Sequence, residues 1–129
     1  MWNGLFWIGR ILFAALFVRS GLNHFTQAGA MTQYAESKGL PAARFSVIGS
    51  GAVLIAGGLS ILLWQYVLYG AGLLFVFLLA AAFTMHDFWA VEDEQQKQTE
   101  MTQFMKNVAL AGAALIFLVL ARSPGVVVG

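Results

Sequence analysis

The chain has 129 residues, enough for one domain and too few for two comfortable ones. Apolar residues make up 60% of it and charged residues 10%, against about a quarter charged in an ordinary globular domain, and the mean hydropathy is +0.77. A small domain buries the smallest share of its chain, so a soluble monomer of this size cannot hide that much apolar surface. A soluble enzyme, a disordered segment and, at a net charge of +1, a nucleic-acid binder are excluded. Cysteine is absent, so the chain supplies no disulfide relay, thiolate metal site or covalent haem attachment. The composition is that of an integral membrane protein.

Crossing the hydrocarbon takes about 20 helical residues. The first such stretch runs over roughly 5–25 and carries Arg10, Arg19, Asn23 and His24. No basic residue precedes Trp2 and Arg10 interrupts the apolar run, so it does not read as a cleavable signal. Within the following loop, Met31, Tyr34, Ala35 and Lys38 recur at helical spacing, and Gly39 and Pro41 supply a stop. This predicts a short helix near the interface. Phe45 to Met85 is one apolar stretch that as a single helix would be about 61 Å long, twice the hydrocarbon thickness. Its only polar break is Trp64-Gln65-Tyr66, so the spans are 45–63 and 66–86 with a hairpin between them. An acidic, glutamine-rich patch from Glu92 to Glu100 follows, in which Asp93 and Gln96 resemble a capping pair. The last helix is expected to begin in water near Glu94 and to cross the membrane over 102–121, leaving a frayed tail from Arg122. The expectation is an all-α fold: a single domain over 1–129, an integral membrane four-helix up-and-down bundle with a short interfacial helix in the first loop. Lys38, Arg44, Lys97 and Lys106 lie on the side of the two long loops, which places those loops in the cytoplasm and the termini outside.

An ionisable group at depth in a bilayer is by default a functional hypothesis. Helical spacing puts Arg10, Phe17, Gly21 and His24 on one stripe, and Glu100, Gln103 and Asn107 on another. The topology delivers Ser20, His24, Arg44, His86, Asp87, Glu100 and Asn107 to one leaflet, with Arg10 roughly 21 Å away along the first helix. Each has a plainer reading. Arg10 can snorkel to the head groups, His24 and His86 can face helix C-termini, Asp87 and Glu100 can be solvated loop acids, and Asn107 can bond a neighbouring helix. Ser46, Ser50, Gly51, Gly57, Gly58, Gly70 and Gly72 suit close helix packing. Trp2, Trp7, Trp64, Tyr66 and Tyr69 at one face, with Tyr34 and Trp89 at the other, suit an aromatic belt.

The segment FVRSGLNHF from Phe17 to Phe25, with Arg10 before it, resembles the first-helix signature of the DoxX family. HDFW from His86 to Trp89, then Glu100 and FMKNVALAG from Phe104 to Gly112, resemble its second signature. The likeness spans about residues 5–121 and implies a small four-helix protein of the prokaryotic cytoplasmic membrane linked to redox work. One branch of the family is a subunit of a thiosulfate:quinone oxidoreductase and another accompanies oxidative-stress complexes. Many members carry an acid in the second helix, whereas residues 46–63 here have none.

The resemblance implies a quinone-linked subunit whose electron donor is a partner protein. His24 or His86, oriented by Asp87 or Glu100, can carry protons to and from a quinone. Arg10, Ser20, Gly21, Phe88, Trp89 and Asn107 form the expected ligand-binding set, with Phe88 and Trp89 flanking the ring. A non-enzymatic binder, transporter or scaffold for an amphiphile or a soluble partner, working as a homo-oligomer, is the second reading. A bis-histidine haem or a divalent metal is the third, and neither has diagnostic spacing.

Overall fold

A computed structural model describes residues 2–122. Beyond Arg122 the expected frayed tail lies outside the described residues, as does the Trp2 side chain. The described chain is helical: α1 (Trp2–Thr26), α2 (Ala28–Ser37), α3 (Ala43–Leu63), α4 (Val67–Met85), a 3₁₀ turn over Phe88–Ala90, and α5 (Glu94–Arg122). Four of the helices are long and apolar enough to cross a membrane. The protein is therefore the all-α membrane bundle expected, with α2 as the short helix of the first loop. At 29 residues α5 is about 43 Å long, so its acidic first turns extend past the span. Asp93 caps it, its carboxylate accepting the Gln96 backbone N–H at 2.9 Å.

Antiparallel packing of α1 on α3 sets the frame, and it uses the stripe read from the sequence. Arg10 meets Ile61, Phe17 packs on Gly58, Gly21 lies on Gly51 and Ile55, and His24 reaches Val47 and Ser50. A Cβ built on Gly21 would stand 2.7 Å from the Gly51 carbonyl oxygen, so glycine is what lets the two backbones come this close. The remaining core joins Leu54 and Ile61 of α3 to Ala71, Leu74 and Leu78 of α4 and Ala111 and Ala114 of α5. Lipid is as apolar as these side chains, so tight packing and not water exclusion holds the helices together. The outer faces agree, with Leu12 (69%), Phe45 (80%) and Ile116 (63%) exposed.

The hairpin between α3 and α4 falls at Trp64-Gln65-Tyr66, as the sequence requires, although no glycine marks it. Trp64 (φ 56°) and Tyr66 (φ 57°) both adopt the left-handed conformation, which costs a non-glycine residue about 1–2 kcal/mol. The Trp64 ring repays part of that cost. It stacks edge-on with Phe6 at 4.8 Å and lies 6.2 Å from Phe117 and 5.5 Å from the Arg10 guanidinium.

The first loop ends by a different device. Gly39 (φ +78°) closes α2 with Gly39 N–H donating to Glu36 O at 2.9 Å and Leu40 N–H to Ala35 O at 3.1 Å. This paired arrangement satisfies the last carbonyls of a helix and favours glycine at the left-handed position. Ala35, Met31 and Leu40 then bury against Ala43, Val47 and Met85, which lays α2 across the ends of α3 and α4.

Candidate functional site

The close approaches of α3 to α4 lie toward the hairpin, at Gly57 against Leu74 and Gly70 against Ser60. Toward α2 the bundle forms a partly open cavity of about 680 Å³, within the range of small-molecule sites. Its wall is mainly apolar, and Ser20, His24, Tyr34, Ser50, His86 and Asn107 contribute polar groups. Both histidines of the chain thus line one cavity, although they come from the ends of different spans.

Each histidine is anchored through Nδ1. His24 Nδ1 lies 3.0 Å from Val47 O and 2.9 Å from Ser50 Oγ, and the Ser50 hydroxyl donates to the same carbonyl at 3.0 Å. A carbonyl only accepts, so the arrangement calls for a proton on Nδ1. His86 Nδ1 lies 3.0 Å from Glu100 Oε2, and an ionised carboxylate imposes the same tautomer. In the neutral form both rings therefore keep Nε2 as a free proton acceptor.

Glu100 stands behind His86 and is buried, at 9% exposure. Its other oxygen accepts from the Tyr34 hydroxyl at 3.3 Å, which also lies 3.3 Å from Met85 O. Burial, reinforced by the Glu100 carboxylate, pushes the Tyr34 hydroxyl above its ordinary value, so it stays a donor. One turn on, Lys38 pairs with Asp87 at 2.6 Å, and that hydrogen bond holds the Lys38 ammonium above the usual lysine range. Tyr34 and Lys38 together pin α2 over the cavity.

The site residues expected from sequence divide into two sets. Ser20, His24, His86 and Asn107 are in the cavity wall, and Glu100 contacts it through His86. Asp87 is engaged by Lys38. Gly21 lies in the α1–α3 contact. Phe88 and Trp89 pack on each other and on Phe104 at 5.2–5.8 Å, with Phe83 beside Trp89 and Phe104. They form a cluster on the α4–α5 side and do not flank the cavity. Arg10 is at the far end, 5% exposed, and does not snorkel outward. It donates from Nε to Ile61 O at 3.0 Å and from Nη2 to Leu62 O, with its guanidinium 3.9 Å from the Trp7 ring centroid. Arg10 thereby caps α3, whose last carbonyls carry the negative end of the helix dipole.

Tyr34, Lys38 and Ser50 join the site without having been singled out for it. Tyr34 and Lys38 were visible as one stripe of α2, and Ser50 as a small packing residue. Only the fold shows that the stripe faces Glu100 and Asp87. Among the described residues no three His, Cys, Asp or Glu side chains are grouped as a metal would need.

The model of the DoxX family matches residues 5–87, and the chain belongs to that family. The match takes in α1 to α4 with His86 and Asp87, and the stretch from Phe104 to Gly112 lies beyond it. No curated protein and no solved structure matches the chain.

Proposed function

We propose that this member of the DoxX family is a quinone-linked membrane subunit of an oxidoreductase, and that the cavity beneath α2 holds the quinone head group. The supporting observation is the pair of histidines in one apolar-walled cavity, each tied through Nδ1 and each left with Nε2. The residues present fit such a ligand. A quinol offers two hydroxyl donors and a quinone two carbonyl acceptors, and the apolar wall suits the ring. When bound, it supplies a two-electron, two-proton couple.

The chain's own work is proton handling. Neutral His24 and His86 accept a proton each at Nε2 as a quinol is oxidised, and the protonated rings return them in the reverse direction. Glu100 stabilises the His86 imidazolium and is itself held by the Tyr34 hydroxyl. Val47 O and Ser50 fix the His24 ring. Ser20 and Asn107 add hydrogen-bonding groups to the wall. In this reading electrons come from or go to a partner protein, and the chain, having no cysteine, adds no thiol couple of its own. With the long loops in the cytoplasm of a prokaryotic cell, the protons exchange on that side.

Mass spectrometry of small molecules extracted from protein purified gently from its own membranes tests this. Quinone at a stoichiometric level, lost in His24→Ala and in His86→Ala, is the expected result. Wild-type protein without quinone, or quinone retained by both variants, overturns the assignment. A different amphiphile in its place would indicate a non-redox binder.

A further inference from the structure

A cavity of about 680 Å³ is the size of a drug-sized ligand site. It can enclose a head group and the start of a chain, and a long isoprenoid tail has to leave it. Several residues of the wall are also exposed on the outside of the spans. Phe45 on α3 is 80% exposed, Ala80 and Thr84 on α4 are exposed, and Gly49 is half-buried between them. Each of these residues lines the cavity and also lies on the outer surface of its span. Gly49 has no side chain, and a Cβ placed there meets nothing within 4 Å.

Resting on the quinone reading above, we propose that the cavity opens sideways into the hydrocarbon between α3 and α4, and that the isoprenoid tail of the quinone passes out over Gly49 and Ala80. The wall also contains lipid-facing Leu16 of α1 and Lys106 of α5. That side carries an ammonium, held 2.7 Å from Gln103 Oε1, which an apolar chain would have to desolvate. The α3–α4 side presents an aromatic ring, two small residues and a threonine whose hydroxyl is already donated to Ala80 O at 2.7 Å. An apolar tail therefore leaves between α3 and α4. The ligand class follows from this opening: a lipid-borne quinone that arrives from within the leaflet and keeps its tail there, in contrast to a water-borne one that must pass α2.

Gly49→Leu and Ala80→Leu narrow the opening without touching the histidines. Each variant, as the full chain in lipid nanodiscs, is titrated with a long-tailed quinone and with the same head group lacking a tail. The expected result is a loss of affinity of roughly tenfold or more for the long-tailed ligand, the equivalent of a few displaced methylenes, with the tail-less ligand changed by less than about twofold. Leu12→Phe, one turn from Leu16 on the same exposed face of α1 and outside the cavity wall, leaves both unchanged. Equal weakening of both ligands, or no change in either variant, overturns the lateral opening while leaving the quinone reading intact. Wild-type protein that binds neither ligand overturns both. Thermal midpoints of the variants in the same nanodiscs separate a blocked opening from a misfolded chain, and the two substitutions lie on different helices.

Discussion

His86 Nδ1 and Glu100 Oε2 stand 3.0 Å apart across the junction of α4 and α5, with Tyr34 on the other oxygen of the same carboxylate. This relationship determines which nitrogen of His86 carries the proton. Glu100→Gln replaces one acceptor oxygen by an amide that can donate to Nδ1, so the bare nitrogen no longer has to be Nε2. The chain has two histidines, which makes ¹⁵N spectra of histidine-labelled protein readable, with His24→Ala to assign them. Wild type should show His86 protonated on Nδ1, and Glu100→Gln a mixture or the opposite tautomer. Identical spectra would mean that Glu100 does not set the tautomer. Glu100→Leu should also cost about 1–3 kcal/mol of stability, since it leaves His86 and Tyr34 without their shared acceptor.

Lys38 and Asp87, 2.6 Å apart, fasten α2 to the end of α4. The hydrogen bond raises the Lys38 value above the ordinary 10.5. Folding then binds the proton more tightly than the unfolded chain does, so the stabilisation is complete below the unfolded lysine value. It is lost as pH rises through the folded one. Both partners are partly exposed, at 19% and 29%, which limits the contribution to about 0.5–1 kcal/mol. A spin label on Glu36→Cys, clean because the chain has no other cysteine, should become more mobile above pH 10.5. Lys38→Met should show the mobile spectrum at pH 7 and no further change on raising the pH. A label that responds to pH equally in both proteins would place the transition elsewhere.

The spans, the hairpin at Trp64–Tyr66 and the helix in the first loop were legible because hydropathy and interface residues act locally along the chain. The α1 stripe from Arg10 to His24 was legible for the same reason, as one helix carries it. What the stripe meets was not. From the sequence Arg10 reads either as a member of the ligand-binding set or as a group reaching for the membrane surface, since nothing local reveals that the carbonyls of Ile61 and Leu62 end beside it. Phe88 and Trp89 enter the expected ligand-binding set as part of the HDFW stretch that resembles the family signature. The 3₁₀ turn instead rotates them onto Phe104, away from the cavity. Tyr34 lies 66 positions from Glu100, and its place in the site depends on how α2 folds back over the bundle.

Arg10 provides a test of structural against ligand-binding work. Its guanidinium serves two carbonyls and rests on Trp7. Lysine retains the charge but loses the planar fork and the stacking. Arg10→Lys should lower stability by about 1.5–3 kcal/mol, the range for hydrogen bonds to a charged group, and Arg10→Ala should lower it further. Thermal unfolding in detergent, read beside quinone content, separates the roles. On the proposed quinone reading, a fall in unfolding temperature with the quinone retained fits the cap. Unchanged stability with the quinone lost would return Arg10 to the binding site.

Two glycines on α3, two positions apart, give opposite expectations. Gly51 faces α1, where an added Cβ would stand 2.7 Å from the His24 Cβ and 3.1 Å from the Gly21 carbonyl oxygen. At least one of these contacts is with backbone, so Gly51→Ala has to push α1 away and should cost about 1–3 kcal/mol as an overpacked site. Gly49 faces the lipid side with open space around its Cβ. There alanine clashes with nothing and improves helix propensity by up to about 1 kcal/mol, so Gly49→Ala should be neutral or slightly stabilising. Displacing α1 also moves His24 from Val47 and Ser50. If the cavity holds a quinone as proposed, Gly51→Ala should therefore lose it along with stability, whereas Gly49→Ala should keep both. Equal unfolding temperatures for the two variants would contradict the close α1–α3 contact, and with it the anchoring that holds His24 in the cavity wall.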